Sequence, residues 1–316
     1  MYRNLFAPSL LVGALALTLT SCGQASPEGT STVERAESTH TNSSSVASQP
    51  ASSSASVASQ PASIALPAAC AKDALPVKKP GRLTIGTDKP GYPPYIVDDD
   101  PTNGKGFESA LAYAVAGQLG FAKDEVAWMV VPFNSSYAPG PKSFDFDINQ
   151  IGINADRRQG ADFSDPYYHA PQAIVTLEGS KIVSATTLAE LATAKLGVQI
   201  GTTTLDAVKA VIHPTNDVQV FDDTAAATAA LKNGNVDGIA ADLPTAIYLR
   251  DAVLEKAKVL GTFSAQQGDN WGLLFEKGSP LVPCVNEALR AIKASGELDR
   301  ITHEWMDASA NAPELR

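Results

Sequence analysis

The chain has 316 residues, 44% of them apolar, and carries 24 Lys plus Arg against 34 Asp plus Glu, a formal net charge of −10 at pH 7. A chain this acidic, with no basic run, is poorly suited to a phosphate backbone or an anionic membrane surface. Three cysteines and four scattered histidines form neither CxxC nor HExxH, so the residues call for no nucleic acid, no metal and no cofactor.

An apolar stretch over residues 5–19 opens the chain, preceded by Arg3 and interrupted by Pro8 and Gly13. At 1.5 Å per residue it reaches about 22 Å, short of the roughly 30 Å hydrocarbon core, so residues 1–22 read as a signal peptide. The stretch ends Leu19-Thr20-Ser21-Cys22-Gly23, which resembles the lipobox of bacterial lipoproteins. That resemblance implies cleavage before Cys22 and acylation of its sulfur and new amino group; the alternative is a plain secretory signal. No later stretch is long and apolar enough to span a bilayer, so the expected location is lipid-anchored at the cell membrane, on its extracytoplasmic face. Residues 23–69 follow, 27 of the 47 being Ser, Thr or Ala, with SVASQPAS at 45–52 and again at 56–63. Nothing in this segment forms a buried face, and it is expected to be a disordered tether of about 40 Å reach.

The folded module is expected from Cys70 onward. Subtracting Arg3, Arg35, Glu28, Glu34 and Glu37 leaves 22 basic and 31 acidic residues, a net of −9. With Cys22 reserved for lipid and an oxidising compartment, Cys70 and Cys284 remain; a disulfide is the economical reading, two separate buried thiols the alternative. Apolar spacing predicts strands over 82–86, 127–131, 144–153, 172–177, 196–200, 218–221, 238–241 and 271–275. It predicts helices over 107–119, 187–193, 203–212, 225–232, 244–254, 281–295 and 298–307. This alternation argues an α/β fold with largely parallel sheets, whose ligands sit beyond the carboxyl ends of the strands.

Several loops carry matched chemistry. Gly201-Thr202-Thr203-Thr204 follows a strand and opens a helix, where first-turn N–H groups and hydroxyls suit a carboxylate; simple N-capping is the alternative. Arg157 follows the strand FDFDINQIGI and suits a bidentate carboxylate clamp, although an Arg pair is more often a solvated face. Asp88 and Asp242 each end a strand, where an acid accepts an ammonium or simply caps a turn. Asp145 and Asp147 alternate with Phe144, Phe146 and Ile148; a capped or solvent-facing strand end accounts for them better than a cation site or acid–base pair. Trp128, Trp271 and Trp305 are expected in the core.

The motifs GTD (86–88), YPPY (92–95), GFE (106–108), DR (156–157), DFSDPYY (162–168), GVQIGTT (197–203), NGNVDGIAADLP (233–244) and WGLLFEKGSP (271–280) together resemble the type II solute-binding proteins that deliver polar amino acids to ABC importers. The resemblance implies two lobes, each a mostly parallel sheet flanked by helices, joined by two hinge strands and closing around the ligand. It implies lobe 1 over 70–180 and 261–310, and lobe 2 over 181–260, with crossings near 176–180 and 261–266. By position, Arg157 matches the grip on the ligand α-carboxylate, with Thr202 and Thr203 its partners from the second lobe. Asp242 matches the acid for the α-ammonium. Gln150 and Gly152 match backbone contacts to the amino-acid core, and Asp88 and Tyr92 the start of the side-chain pocket. Asp88 there disfavours an anionic side chain. The implied partners are an amino acid and an importer permease, the protein acting as a monomer and not as an enzyme.

Four places depart from the family pattern. The turn DKPGYPPY is one residue longer; Asn154-Ala155-Asp156-Arg157 keeps the arginine without the flanking hydroxyl; Gly152 replaces a hydroxyl residue; and FNSSYAPGPKS at 133–143 replaces the helix that offers the aromatic wall, leaving Phe133 or Tyr137 for that part. The second reading is an enzyme on the same fold, because cyclohexadienyl dehydratases, acting on prephenate or arogenate, are similar over much of their length. Asp88 or Glu108 would then be the acid for the leaving hydroxyl.

Overall fold

Apolar strands that bury both faces need helices on either side, and the computed structural model, which describes residues 65–264, 269–307 and 312–316, has that layering twice. Segment 1–22 with Cys22, the tether as far as 64, residues 265–266 of the expected second crossing and residues 308–310 lie outside the described residues. All described residues belong to one unit, Ala58–Arg316. The strands are β1 Leu83–Thr87, β2 Val126–Val130, β3 Phe146–Asp147, β4 Ala161–Phe163, β5 Tyr168–His169, β6 Gln172–Leu177, β7 Leu196–Gln199, β8 Gln219–Phe221, β9 Gly238–Asp242, β10 Ala257–Phe263, β11 Asn270–Trp271 and β12 Leu274–Glu276.

One five-stranded sheet has the order β2-β1-β3-β12-β4, the other β10-β6-β9-β7-β8. The first packs Leu83, Ile85, Phe146 and Phe275 against the helices Phe107–Gln118, Val282–Ala294 and Glu297–Met306. The second is covered by Thr203–Ala207 with its π-helical continuation Val208–Ile212, by Thr224–Lys232 and by Leu243–Tyr248. Each sheet contains two parallel and two antiparallel pairings, so "mostly parallel" is corrected to mixed. The antiparallel members, β12 and β6 with β10, are the strands next to the lobe crossings.

The crossings also differ from expectation. β5 and β11 form a separate antiparallel pair, and β6 then sits between β10 and β9 in the second sheet. The first crossing therefore lies between His169 and Gln172, not near 176–180, and by its sheet the second lobe begins at 172 and extends through β10 to 263. Nothing within QAIVTL marks it as second-lobe; long-range pairing decides that. The strand β10 itself was not foreseen. A third passage was not foreseen either: after the first-lobe helix Glu297–Met306, Glu314 bridges Thr262, Leu315 N–H donates to the Thr262 carbonyl (2.8 Å), and Leu315 is buried in the second lobe's core.

The disulfide joins Cys70 to Cys284 with Cα atoms 5.3 Å apart, tying the root of the module to the helix Val282–Ala294. Closing a loop this long stabilises by about 2–4 kcal/mol. After alkylation without reduction, mass spectrometry of exported protein should recover the two cysteines only as one linked peptide pair. Two alkylated thiols would refute the bridge.

Candidate functional site

The carboxyl ends of β1, β7 and β9 open onto a cavity of about 280 Å³ between the lobes. Asp88, Tyr92, Gln150, Arg157, Thr202, Thr203 and Asp242, seven of the eight residues expected at the ligand, line it. Gly152 does not; its carbonyl instead accepts from Arg157 Nη1 at 2.6 Å.

Arg157 stands at the start of a short helix, Arg157–Gly160, and Asn154 Oδ1 accepts its N–H at 2.8 Å. The asparagine thus supplies a local acceptor where the usual flanking hydroxyl is absent. The guanidinium lies 5.3 Å from the Phe133 ring centroid and 4.6 Å from that of Tyr137, a stacked cage that restricts it to one orientation. Its Nη2 reaches across to the carbonyl of Gly201 at 2.8 Å. Of the two aromatic candidates, Phe133 lines the cavity, whereas Tyr137 stands behind the arginine. Gly201 has φ +73°, and a Cβ there would fall 2.3 Å from both Asn134 Oδ1 and Tyr137 Oη, so this meeting point of the lobes requires glycine.

Asp242 closes β9 and accepts from Gln172 Nε2 at 2.8 Å. Removal from water pushes its carboxyl up to about 7, the Gln172 bond opposing this. Gln172 is itself fully buried, and its Oε1 accepts from the Thr204 hydroxyl at 2.5 Å, linking the acid to the threonine loop. The sequence reading passed over Gln172; its signal was a polar residue opening an otherwise apolar strand. Asn149, Gln199, Asp223 and Thr224 also line the cavity without having been singled out. Asp88 accepts from the N–H groups of Lys89 (2.7 Å) and Phe133 (3.0 Å), which fixes it at the cavity wall beside the lengthened turn.

Asp145 and Asp147 are not at a solvent-facing strand end. Both are buried; Asp145 accepts from the N–H groups of Thr84 and Lys78 at 2.6 Å, while neither oxygen of Asp147 has a partner. Among the described residues no group of three or more His, Cys, Asp or Glu is placed to hold a metal ion, and no helix is long and apolar enough to cross a membrane.

An arginine from the first sheet's lobe and an acid from the second's thus line one interlobe cavity. Residues 83–308 match the family model of bacterial extracellular solute-binding proteins, family 3. The chain belongs to that family. A probable histidine-binding protein of Neisseria gonorrhoeae is 27% identical over 234 residues, 72% of this chain and 84% of that protein. An ancestral arginine-binding protein solved with glutamine is 32% identical with a TM-score of 0.61, the match covering 72% of this chain and 98% of that one. An ancestral amino acid-binding protein described as a precursor of cyclohexadienyl dehydratase is 29% identical with a TM-score of 0.59, covering 71% and 95%. Such family members have the two-lobed fold in which this cavity lies.

Proposed function

We propose that this family 3 protein binds a polar amino acid in the interlobe cavity and delivers it unchanged to the permease of an ABC importer. The observation that carries this reading is the placement of Arg157 and Asp242, from different lobes, on one cavity. A zwitterion needs two opposite, desolvated charges. Arg157 with Thr202 and Thr203 takes the α-carboxylate, Asp242 the α-ammonium, and Gln150 the core. Gly152 acts one step removed, by orienting Arg157. Asp88, Tyr92 and Phe133 border the side chain, and with Asp88 there, neutral polar and cationic amino acids are the favoured ligands. The names of the histidine- and arginine-binding relatives support that class.

Ligand contacts completed only when the lobes meet favour the closed form, and the permease distinguishes loaded from empty protein by shape. A thermal-shift screen of the twenty amino acids tests the reading, since a ligand at 100 times its Kd adds about 2.7 kcal/mol. With the best ligand, small-angle scattering should give the mass of one chain and a smaller radius of gyration. No shift with any amino acid would refute amino-acid binding, and an unchanged curve would refute the closure.

The dehydratase alternative needs a free acid in the cleft. Glu108 is absent from the cavity lining, and Asp88 is engaged by two backbone donors, so incubation with prephenate or arogenate should yield no aromatic product. Anchoring through Cys22 keeps the protein at the extracytoplasmic face of the membrane, beside its permease. The mass measurement on the disulfide also tests this, the amino-terminal peptide beginning at an acylated Cys22.

A further inference from the structure

The GFE motif places a fully buried carboxylate, Glu108, that the proposed ligand contacts do not use. Its position is fixed from the turn before it. Gly106 has φ +99°, and a Cβ there would lie 2.3 Å from the Tyr95 carbonyl oxygen, so only glycine lets the chain press against that turn. The N–H groups of Phe107 and Glu108 then donate to the carbonyls of Pro94 (2.8 Å) and Tyr95 (3.1 Å), which starts the helix Phe107–Gln118 with Glu108 in its first turn, facing inward.

Three donors converge on that carboxylate. Gln150 supplies its backbone N–H at 2.7 Å and its side-chain amide as well, and Tyr167 supplies its hydroxyl. Gln150 lies on the cavity floor at φ +48°, a left-handed conformation that residues other than glycine rarely adopt. Tyr167 directly precedes β5, the strand that leads into the first crossing between the lobes and so serves as the hinge here, and its N–H donates to the Trp271 carbonyl of β11 at 2.9 Å. The chain just beyond the floor also touches β11 itself, through the Gly152–Trp271 bridge and the bond from Ile153 N–H to the Asn270 carbonyl at 2.8 Å.

We infer that Glu108 is a positioning residue that holds Gln150 in its left-handed turn and fastens the cavity floor to the hinge. The floor and the first strand of the hinge then behave as one rigid piece, and a ligand resting on the floor bears directly on the axis about which the lobes move. Burial pushes the carboxyl up to about 7 while Tyr167 and Gln150 pull it down, so the group is retained at an energetic cost that an apolar side chain of the same volume would avoid. The inference rests on the amino-acid-binding reading for its consequence, but not for its geometry.

Two measurements test it. In ligand-free protein, Glu108→Leu should raise amide hydrogen exchange over residues 149–153 by about tenfold or more, leaving the helix Val282–Ala294 unchanged. Glu108→Gln, which keeps the shape and one acceptor, should show the same change at smaller size and serves if the leucine variant does not fold. In calorimetry with L-arginine and L-histidine, Glu108→Leu should weaken binding. The same substitution in the Gln150→Gly background should retain only about a third of that effect or less, because glycine adopts the left-handed turn unaided. Unchanged exchange over 149–153, or equal affinity losses in both backgrounds, would overturn the inference. If no amino acid binds the wild type, the proposed function fails while the exchange measurement still decides the role of Glu108.

Discussion

Arg157→Ala should weaken ligand binding by about 30- to several-thousand-fold, equivalent to roughly 2–5 kcal/mol. Truncation removes the buried guanidinium that answers the ligand carboxylate, Lys89 at the cavity wall being paired with Asp99, and most of the loss is the penalty of the charge left unpaired. Arg157 is only 6% exposed, its guanidinium packed beside two aromatic rings, and its two donated bonds hold Gly152 on one lobe and Gly201 on the other. Both the grip and one contact between lobes go together. Arg157→Lys should recover little, because an ammonium cannot reproduce the planar fork or its stacking. Arg158 is the matched control: it is exposed, and its alanine variant should bind as wild type. Calorimetry with the ligand identified in the screen decides the point, and an alanine variant within about threefold of wild type would remove Arg157 from the clamp.

Stability of the ligand-free protein should fall as pH rises from the ordinary carboxylate range through about 7, and Asp147→Asn should flatten that fall. Asp147 is fully buried in β3 with both oxygens unpartnered, and so close to Gly86 that a Cβ there would lie 2.4 Å from its Oδ2. Burial, with the nearby carboxyls of Glu108 and Asp88, holds its pKa well above the ordinary range; only Lys142 opposes this. The sign follows from proton binding. A raised native pKa means the native state keeps a proton that the unfolded chain releases, so the stabilisation is complete below the ordinary Asp range and is lost as pH rises through the native value. The loss is about 1.4 kcal/mol per pH unit for one group. Glu108 and Asp242, both raised to about 7, add to it in the same direction. Chemical denaturation of both proteins across the window is the measurement. The asparagine variant should gain on wild type by up to about 1.4 kcal/mol per unit, and two parallel curves would exclude Asp147 as the source.

Strands with apolar residues at alternate positions, such as β1 and β7, and helices closed by glycine or proline were legible because their signals are local. What the sequence could not disclose was set by distant partners. In FDFDINQIGI the predicted strand runs on to Ile153, yet only Phe146–Asp147 joins the ladder. Beyond it the chain turns left-handed at Gln150 to form the cavity floor, a turn held by a side chain 42 residues earlier. Asp145 and Asp147 likewise alternate as if facing water, while both are buried and Asp145 answers the N–H groups of Lys78 and Thr84. The polar cavity residues Arg157, Thr203 and Asp242 were legible because they stand where strands give way to helices, inside the family motifs. Gln172, which braces Asp242, opens a strand, and its one local signal, a polar residue before an apolar run, does not say what it bonds.

The docking of residues 312–316 bears on how the protein can be handled. Leu315 fills a place in the second lobe's core, Pro313 accepts from Thr262 N–H at 2.7 Å, and the Arg316 carbonyl accepts from Leu188 N–H at 3.0 Å. An affinity handle or fluorescent partner fused at Arg316 is therefore attached to the lobe opposite the one that carries Cys70 and the tether. On the closure proposed above, dyes placed next to Cys70 and at Arg316 report on opposite lobes, so these two positions suit a distance-based optical sensor of ligand occupancy.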